Sequence, residues 1–258
     1  MAVETNPKDS IAQYQLGLVY RREGREEDAK KALALSATLR QRDTDESKLR
    51  LECAQKLDKG PRGEAHAVCQ QLYDPGNADK LTLLGTIYGQ HGDLEAALEP
   101  LRRAAELAPQ APQMQYNLAY TYYQINRLEE ARAPLANAVK RWPDIFRLNF
   151  LYGAALAKLG EDIPAYQALR RARELNRQDW ETANLLYSTV LKLARKSQTA
   201  SRYTESLRYF TEAANVRPDD PEPHREMAGV YTLTGQSVEA MAEQKRADRL
   251  SKGSERVQ

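Results

Sequence analysis

The stretch LGTIYGQHGDLEAALEPLRRAAELAP, residues 84 to 109, decides the fold. Take Gly85 as an anchor: Leu84 stands just before it, Tyr88 follows at 3, Gly92 at 7, Ala97 at 12, Leu101 at 16, Ala104 at 19 and Pro109 at 24. The same slots return 34 residues later around Ala119, with Leu118, Tyr122, Asn126, Ala131, Leu135, Ala138 and Pro143. They return again around Gly153, with Tyr152, Leu156, Gly160, Ala165, Leu169 and Ala172. Gly17 lies two periods before Gly85, and Ala228 heads a last copy. A fixed period of this length is the signature of a repeat architecture.

Each copy reads as two short helices. The first ends where a glycine tolerates a left-handed turn. Small residues mark close helix approaches, large apolar ones fill between them, and the proline closes the pair. One such pair cannot bury its apolar face alone, so neighbours must stack.

In period and in slot chemistry the pattern resembles the tetratricopeptide repeat (TPR). That resemblance implies an all-α, right-handed superhelical solenoid of antiparallel helix pairs, a scaffold of the multi-repeat bacterial type. The phase divides residues 10–254 into one array: 10–43, a degenerate copy 44–77 anchored on Leu51 and closed by Pro75, then 78–111, 112–145, 146–179, 180–220 and 221–254. Residues 1–9 match the end of a preceding second helix, with Ala2 and Pro7 in phase, and read as the remnant of a truncated repeat. Between Tyr187 and Ser206 seven residues are added, about two helical turns, and they are expected to lengthen both helices of that repeat. Their basic residues Arg195, Lys196 and Arg202 form a protruding contact or simply decorate a tolerated insertion.

Composition bounds the function. The chain has 258 residues, 41% hydrophobic and 29% charged, with a net charge of +2 from interspersed signs, so neither nucleic acid nor an anionic membrane surface is favoured. The apolar stretch LNFLYGAALA, 10 residues, is about half the ~20 that span a bilayer, so no membrane insertion is expected. The compartment stays open between cytoplasm and periplasm. Cys53 and Cys69 read as two semi-buried thiols, with a disulfide as the alternative that spacing cannot decide. His66, His91 and His224 fall in different repeats without metal-ligand spacing, and no phosphate-binding glycine cluster exists, so no cofactor, metal or catalytic centre is expected.

Basic doublets at 102–103, 140–141 and 170–171 fall on second helices, the convex side of the expected superhelix, where they need not bind anything and are misplaced for an RNA-reading repeat. The informative positions lie on first helices, 6 and 3 before the anchor and 1 and 4 after it, one helical stripe facing the concavity. It reads Asp79, Thr82, Thr86, Gly89; Gln113, Tyr116, Tyr120, Tyr123; Arg147, Phe150, Ala154, Ala157; Glu181, Asn184, Ser188, Leu191. Aromatics beside small residues suit an extended peptide or a partner helix. The candidate binding set is Thr82, Thr86, Gln113, Tyr116, Asn117, Tyr120, Tyr123, Arg147, Phe150 and Asn184, with Lys158 and Lys192 beyond the stripe favouring acidic partners. The family's clamp for C-terminal carboxylates is not reproduced. A non-enzymatic scaffold for a protein or peptide partner is the reading. The alternative is assembly through the array ends or the convex face, including self-association at the exposed first repeat.

Pro100 and Pro134 sit inside second helices, 15 residues past their anchors. Both are expected to kink their helices on the solvent side.

Overall fold

The computed structural model describes residues 6–254, all helix and turn with no strand among them. Two units are distinguished, Met1–Leu107 and Ala108–Gln258. The first five residues, on which the remnant of a preceding helix would fall, lie outside the described part.

In the first unit α1 (Ser10–Arg22), capped by Asp9 accepting from the Ile11 and Ala12 amides, pairs with α2 (Glu26–Lys59). Then come α3 (Arg62–Cys69), a 3-10 turn (Gln70–Leu72), α4 (Ala78–Gln90) and α5 (Leu94–Leu107). The second unit holds α6 (Pro112–Gln124), α7 (Leu128–Arg141), α8 (Phe146–Leu159), α9 (Asp162–Leu175), α10 (Trp180–Thr199), α11 (Tyr203–Val216), α12 (Glu222–Leu233) and α13 (Ser237–Ser254). In the second unit each helix packs on the next in order, the all-α solenoid expected of the repeats, whereas in the first unit α4 meets α2 and the 3-10 turn rather than α3.

One turn geometry recurs at every first-to-second helix junction but the degenerate one. Gly24, Gly92, Gly160 and Gly235 have φ between 73° and 78°; Asn126 (61°) and Ser201 (58°) hold the same conformation without being glycine. The amide three residues beyond the helix returns to a carbonyl five residues back, as in Asp93 N to Tyr88 O (2.9 Å) and Arg202 N to Ser197 O (2.8 Å). This closes the helix end by satisfying its last carbonyls. The small slots are the core: Ala97, Ala104, Ala119, Ala131, Ala138, Ala165 and Ala172 are buried against Leu101, Leu135 and Leu169.

The expected boundary between residues 43 and 44 lies inside α2, a single 34-residue helix. The closing-proline slot there holds Gln41, but a missing proline is not the whole cause. Arg177 fills the equivalent slot between α9 and α10, and the chain still turns: Asn176 Oδ1 accepts from the Gln178 amide and Asp179 Oδ1 from the Thr182 amide (2.7 Å). In α2 the oxygens that could cap a new helix serve the existing one, Thr44 donating to Arg40 O (2.9 Å) and Ser47 to Asp43 O (2.8 Å). With hydroxyls turned back, nothing stops the helix. Leu51, at the anchor slot, is 61% exposed.

The cysteines are not free thiols. Cys53 and Cys69 form a disulfide across α2 and α3, Cα atoms 4.9 Å apart and both side chains buried. The eight-residue α3 buries little besides Ala65, so a covalent link joins it to α2 where apolar area is short.

The insertion lengthens only one helix. α10 has 20 residues against 14 in α8, while α11 keeps the 14 of α9. All added residues precede Ser201, whose positive φ takes the turn slot shifted by seven.

Pro100 and Pro134 both lie inside continuous helices, α5 and α7. Pro100 is buried, as are Ala97, Leu101 and Ala104 of the same helix, so it is not on a solvated face as expected, whereas Pro134 is half-buried.

The arginines of the second helices have a structural use. Arg103 donates to Pro75 O (3.2 Å), Arg141 to Pro109 O (3.3 Å) and Arg171 to Pro143 O (3.3 Å). Each proline that closes a pair leaves its carbonyl to the following second helix. Gln13 to Pro7 O (2.8 Å) and Asn149 to Pro143 O (3.0 Å) repeat the device from the first helix.

Candidate functional site

In the second unit α6, α8 and α10 run side by side and carry three rows of the stripe. On α6 the rings of Tyr116 and Tyr120 stack at 5.6 Å, 10° from parallel, and Tyr120 is 40% exposed. Burial, and after it the neighbouring Tyr120, push the Tyr116 phenol above its usual range, while Arg147 opposes this. Lys158 of α8 lies over the Tyr123 ring at 4.1 Å, a cation–π contact that ties the C-terminal ends of α6 and α8. Phe150 stacks on Phe146 at 6.1 Å and packs against the buried cluster around Leu186, Val190 and Phe210. Ala154, on the same row, is buried and leaves a low place beside the rings.

The other candidates separate by what they touch. Gln113 Nε2 donates to Asn117 Oδ1 (2.7 Å), so these two amides hold each other on α6. Arg147 is exposed at the start of α8. Asn184 accepts from Arg217 (2.6 Å) and Lys192 is ion-paired with Asp162 (2.7 Å). Thr82 and Thr86 belong to the first unit, and their hydroxyls donate to Ala78 O and Thr82 O of their own helix, both at 2.8 Å. They present methyl groups rather than free donors.

Tyrosines sort into two kinds. Tyr73 donates to Glu99 (2.6 Å) and Tyr166 to Glu212 (2.6 Å), both across a repeat junction, and Tyr187 donates to Asp220 (2.8 Å) at the end of its own repeat. Burial first, then the Glu212 carboxylate, raises the Tyr166 phenol to about 12; burial and Asp220 raise Tyr187 as well. These three are structural. The hydroxyls of Tyr116, Tyr120 and Tyr123 have no such partner among the described residues.

The basic residues of the insertion do not project freely. Lys192 and Lys196 share Asp162, at the first position of α9. Arg195 holds Glu222 and Glu226 (2.9 Å) of α12, and Arg202 pairs with Glu205 (3.3 Å). Burial alone would raise the Asp162 carboxyl, but the two lysines outweigh it and hold it below the usual carboxylate range. Asp162, Glu222 and Arg217 were not singled out from the sequence. The available signal was one carboxylate a full period before an inserted cation: Asp162 is 34 residues before Lys196.

Histidines are paired likewise: His66 with Asp93 (2.7 Å), His91 with Asp58 (2.6 Å) and His224 with Glu243 (2.6 Å). Among the described residues no group of three or more His, Cys, Asp and Glu side chains is placed to hold a metal ion. Nor is any helix among them long and apolar enough to cross a membrane.

Comparison with known proteins bears on the repeats. Two family models described as tetratricopeptide repeat match residues 82–144 and 11–43. The human (Homo sapiens) protein O-mannosyl-transferase TMTC1 is 25% identical over 170 residues, which is 66% of this chain but 19% of that protein. The chain thus spans about a fifth of the curated relative it matches. Among solved structures, YrrB, described as a TPR protein with an unusual peptide-binding site, is 21% identical over 69% of this chain and 88% of its own, with a TM-score of 0.49. MamA is 18% identical over 68% and 92%, with a TM-score of 0.48. The same slots and turns recur in residues 10–43 and 78–254 and fail in the degenerate copy between them. The chain carries tetratricopeptide repeats at residues 11–43 and 82–144.

Proposed function

We propose that this protein is a non-enzymatic scaffold that holds a peptide or helix of a partner protein on the face formed by α6, α8 and α10. The observation that carries the reading is the contrast between its tyrosines. Those at repeat junctions have spent their hydroxyls on carboxylates, whereas Tyr116, Tyr120 and Tyr123 form an ordered aromatic row with hydroxyls unspent. Stacked rings held in place give broad apolar area at small entropic cost on binding, and a free hydroxyl at each rim supplies directional bonds. Arg147 at one end of α8 and Lys158 at the other flank the row without a carboxylate partner among the described residues. Gln113 and Asn117, bonded to each other, border its N-terminal end and offer their remaining donors and acceptors to a peptide backbone.

Selection from a displayed random-peptide library tests this. The protein should enrich peptides whose binding falls at least tenfold with Tyr120→Ala plus Phe150→Ala. Tyr120→Ala alone, at an exposed position, gives a loss that cannot be assigned to unfolding. Peptides that bind both variants like the parent would overturn the reading.

A further inference from the structure

The insertion makes α10 six residues longer than α8, and these last residues wall an open cavity of about 810 Å³ between α10 and the start of α12. That volume lies within the ~300–1,000 Å³ of ordinary ligand pockets. Asn184, Ser188 and Leu191 of the stripe line it, so it continues the aromatic face of α6 and α8 at the next first helix.

The charges on its wall are balanced within the chain. Lys192 and Lys196 meet Asp162; Arg195 meets Glu222 and Glu226; Arg217 lies over the Tyr187 ring at 4.3 Å and faces Asp220 at 3.9 Å. Four cations stand against four carboxylates. The hydroxyls are spent as well: Ser188 on Leu185 O (3.0 Å), Thr199 on Arg195 O (3.0 Å) and Tyr187 on Asp220. What is left to a ligand is the amide nitrogen of Asn184, the small exposed edge of Leu191, Ala200 and the aliphatic stems of the paired lysines and arginine. A charged occupant would have to break a pair that the chain has already made, while an apolar one displaces only water.

We infer that this cavity is an anchor pocket for two adjacent large apolar side chains of the peptide bound on the aromatic face, an inference that rests on the scaffold reading above. The insertion is then a specificity element. It builds a pocket at one repeat, and its ion pairs tie the pocket's walls to α9 and α12.

The experiment uses the full chain and the same random-peptide library. Enriched peptides should carry an adjacent pair of large apolar residues, and one such synthetic peptide should lose at least tenfold in affinity when the pair is changed to serine. The exposed substitutions Ser188→Trp and Ala200→Trp fill the cavity from its rim, and they should cost the same factor while thermal melting stays unchanged. Enrichment of charged residues in place of the apolar pair, or equal affinity in the filled variant, overturns the pocket. If that equal affinity is joined by loss with Tyr120→Ala, the pocket falls and the aromatic face stands. If filling abolishes binding and Tyr120→Ala with Phe150→Ala does nothing, the pocket stands and the face falls.

Discussion

Residues 26–72 and residues 112–175 share one repeat pattern and fold by different means. In the later stretch four helices of 13 or 14 residues alternate, each first helix closed by a residue in the left-handed conformation and each pair closed before a proline or a capping carboxylate. The earlier stretch has one helix of 34 residues and one of 8, joined by a disulfide. Small slots pack the later repeats, with Ala119, Ala131, Ala165 and Ala172 wholly buried. The earlier stretch leaves Leu51 in solvent and buries a cystine instead. A repeat needs its stop signals as much as its apolar slots, and where the stops fail a cross-link can hold the remaining helix.

Reducing or removing the cross-link should separate the two regions most sharply. Cys53 and Cys69 close a loop of 16 residues, so Cys53→Ser with Cys69→Ser should cost about 3 kcal/mol. Hydrogen exchange should show the loss confined to α2 and α3, with α6 to α9 protected as before. Uniform loss across both regions would mean that the stretches are not independently held.

Close packing of the regular slots gives the next effect. A Cβ on Gly85 would lie 2.7 Å from Leu101 Cδ2, too near without displacement, whereas Ala119 carries one at the matching slot of the next repeat. Gly85→Ala should therefore destabilise by about 1–2 kcal/mol, overpacking outweighing the better helix propensity of alanine. Denaturant melts would contradict this by showing a gain.

The insertion depends on charge. Asp162 has its carboxyl depressed in the folded state, so its contribution is complete above the unfolded value near 4 and lost as pH falls through the folded one. Asp162→Asn should cost about 1.5 kcal/mol at pH 7, the low end for bonds to charged groups because both lysines are about half exposed. The difference from the parent should shrink as pH falls below 4. A difference that does not change with pH would remove the ion pairs from the account.

The smallest expected effect is a gain. Ser206 fills the slot held by Ala97, Ala131 and Ala165, and its buried hydroxyl has no hydrogen-bond partner among the described residues. Ser206→Ala should stabilise by about 1 kcal/mol in thermal or chemical denaturation.

Much of this was legible in the sequence. The 34-residue period, the buried small slots and the glycine turns follow from residue type, because Gly92 or Ala97 has one physical use at its place. Harder to read was anything decided by which atom a side chain chooses. Thr44 and Ser47 could have capped a helix and instead bond within one; Ser201 takes a left-handed turn without being glycine. Arg103, Arg141 and Arg171 look like free surface charge and serve proline carbonyls of the preceding pair. On the candidate face, the aromatic row of α6 was readable from helical spacing. The pocket of α10 was not, since it needed the insertion to fall wholly in one helix and its charges to find carboxylates a repeat away.

The scaffold reading turns on which side of the repeats touches a partner, and site-specific photo-crosslinking measures that directly. A photoreactive benzoylphenylalanine at position 120 or 188, on first helices, should cross-link to a peptide selected on the parent protein, while the same group at position 170, on the second helix α9, should not. Cross-links from position 170 alone would contradict it.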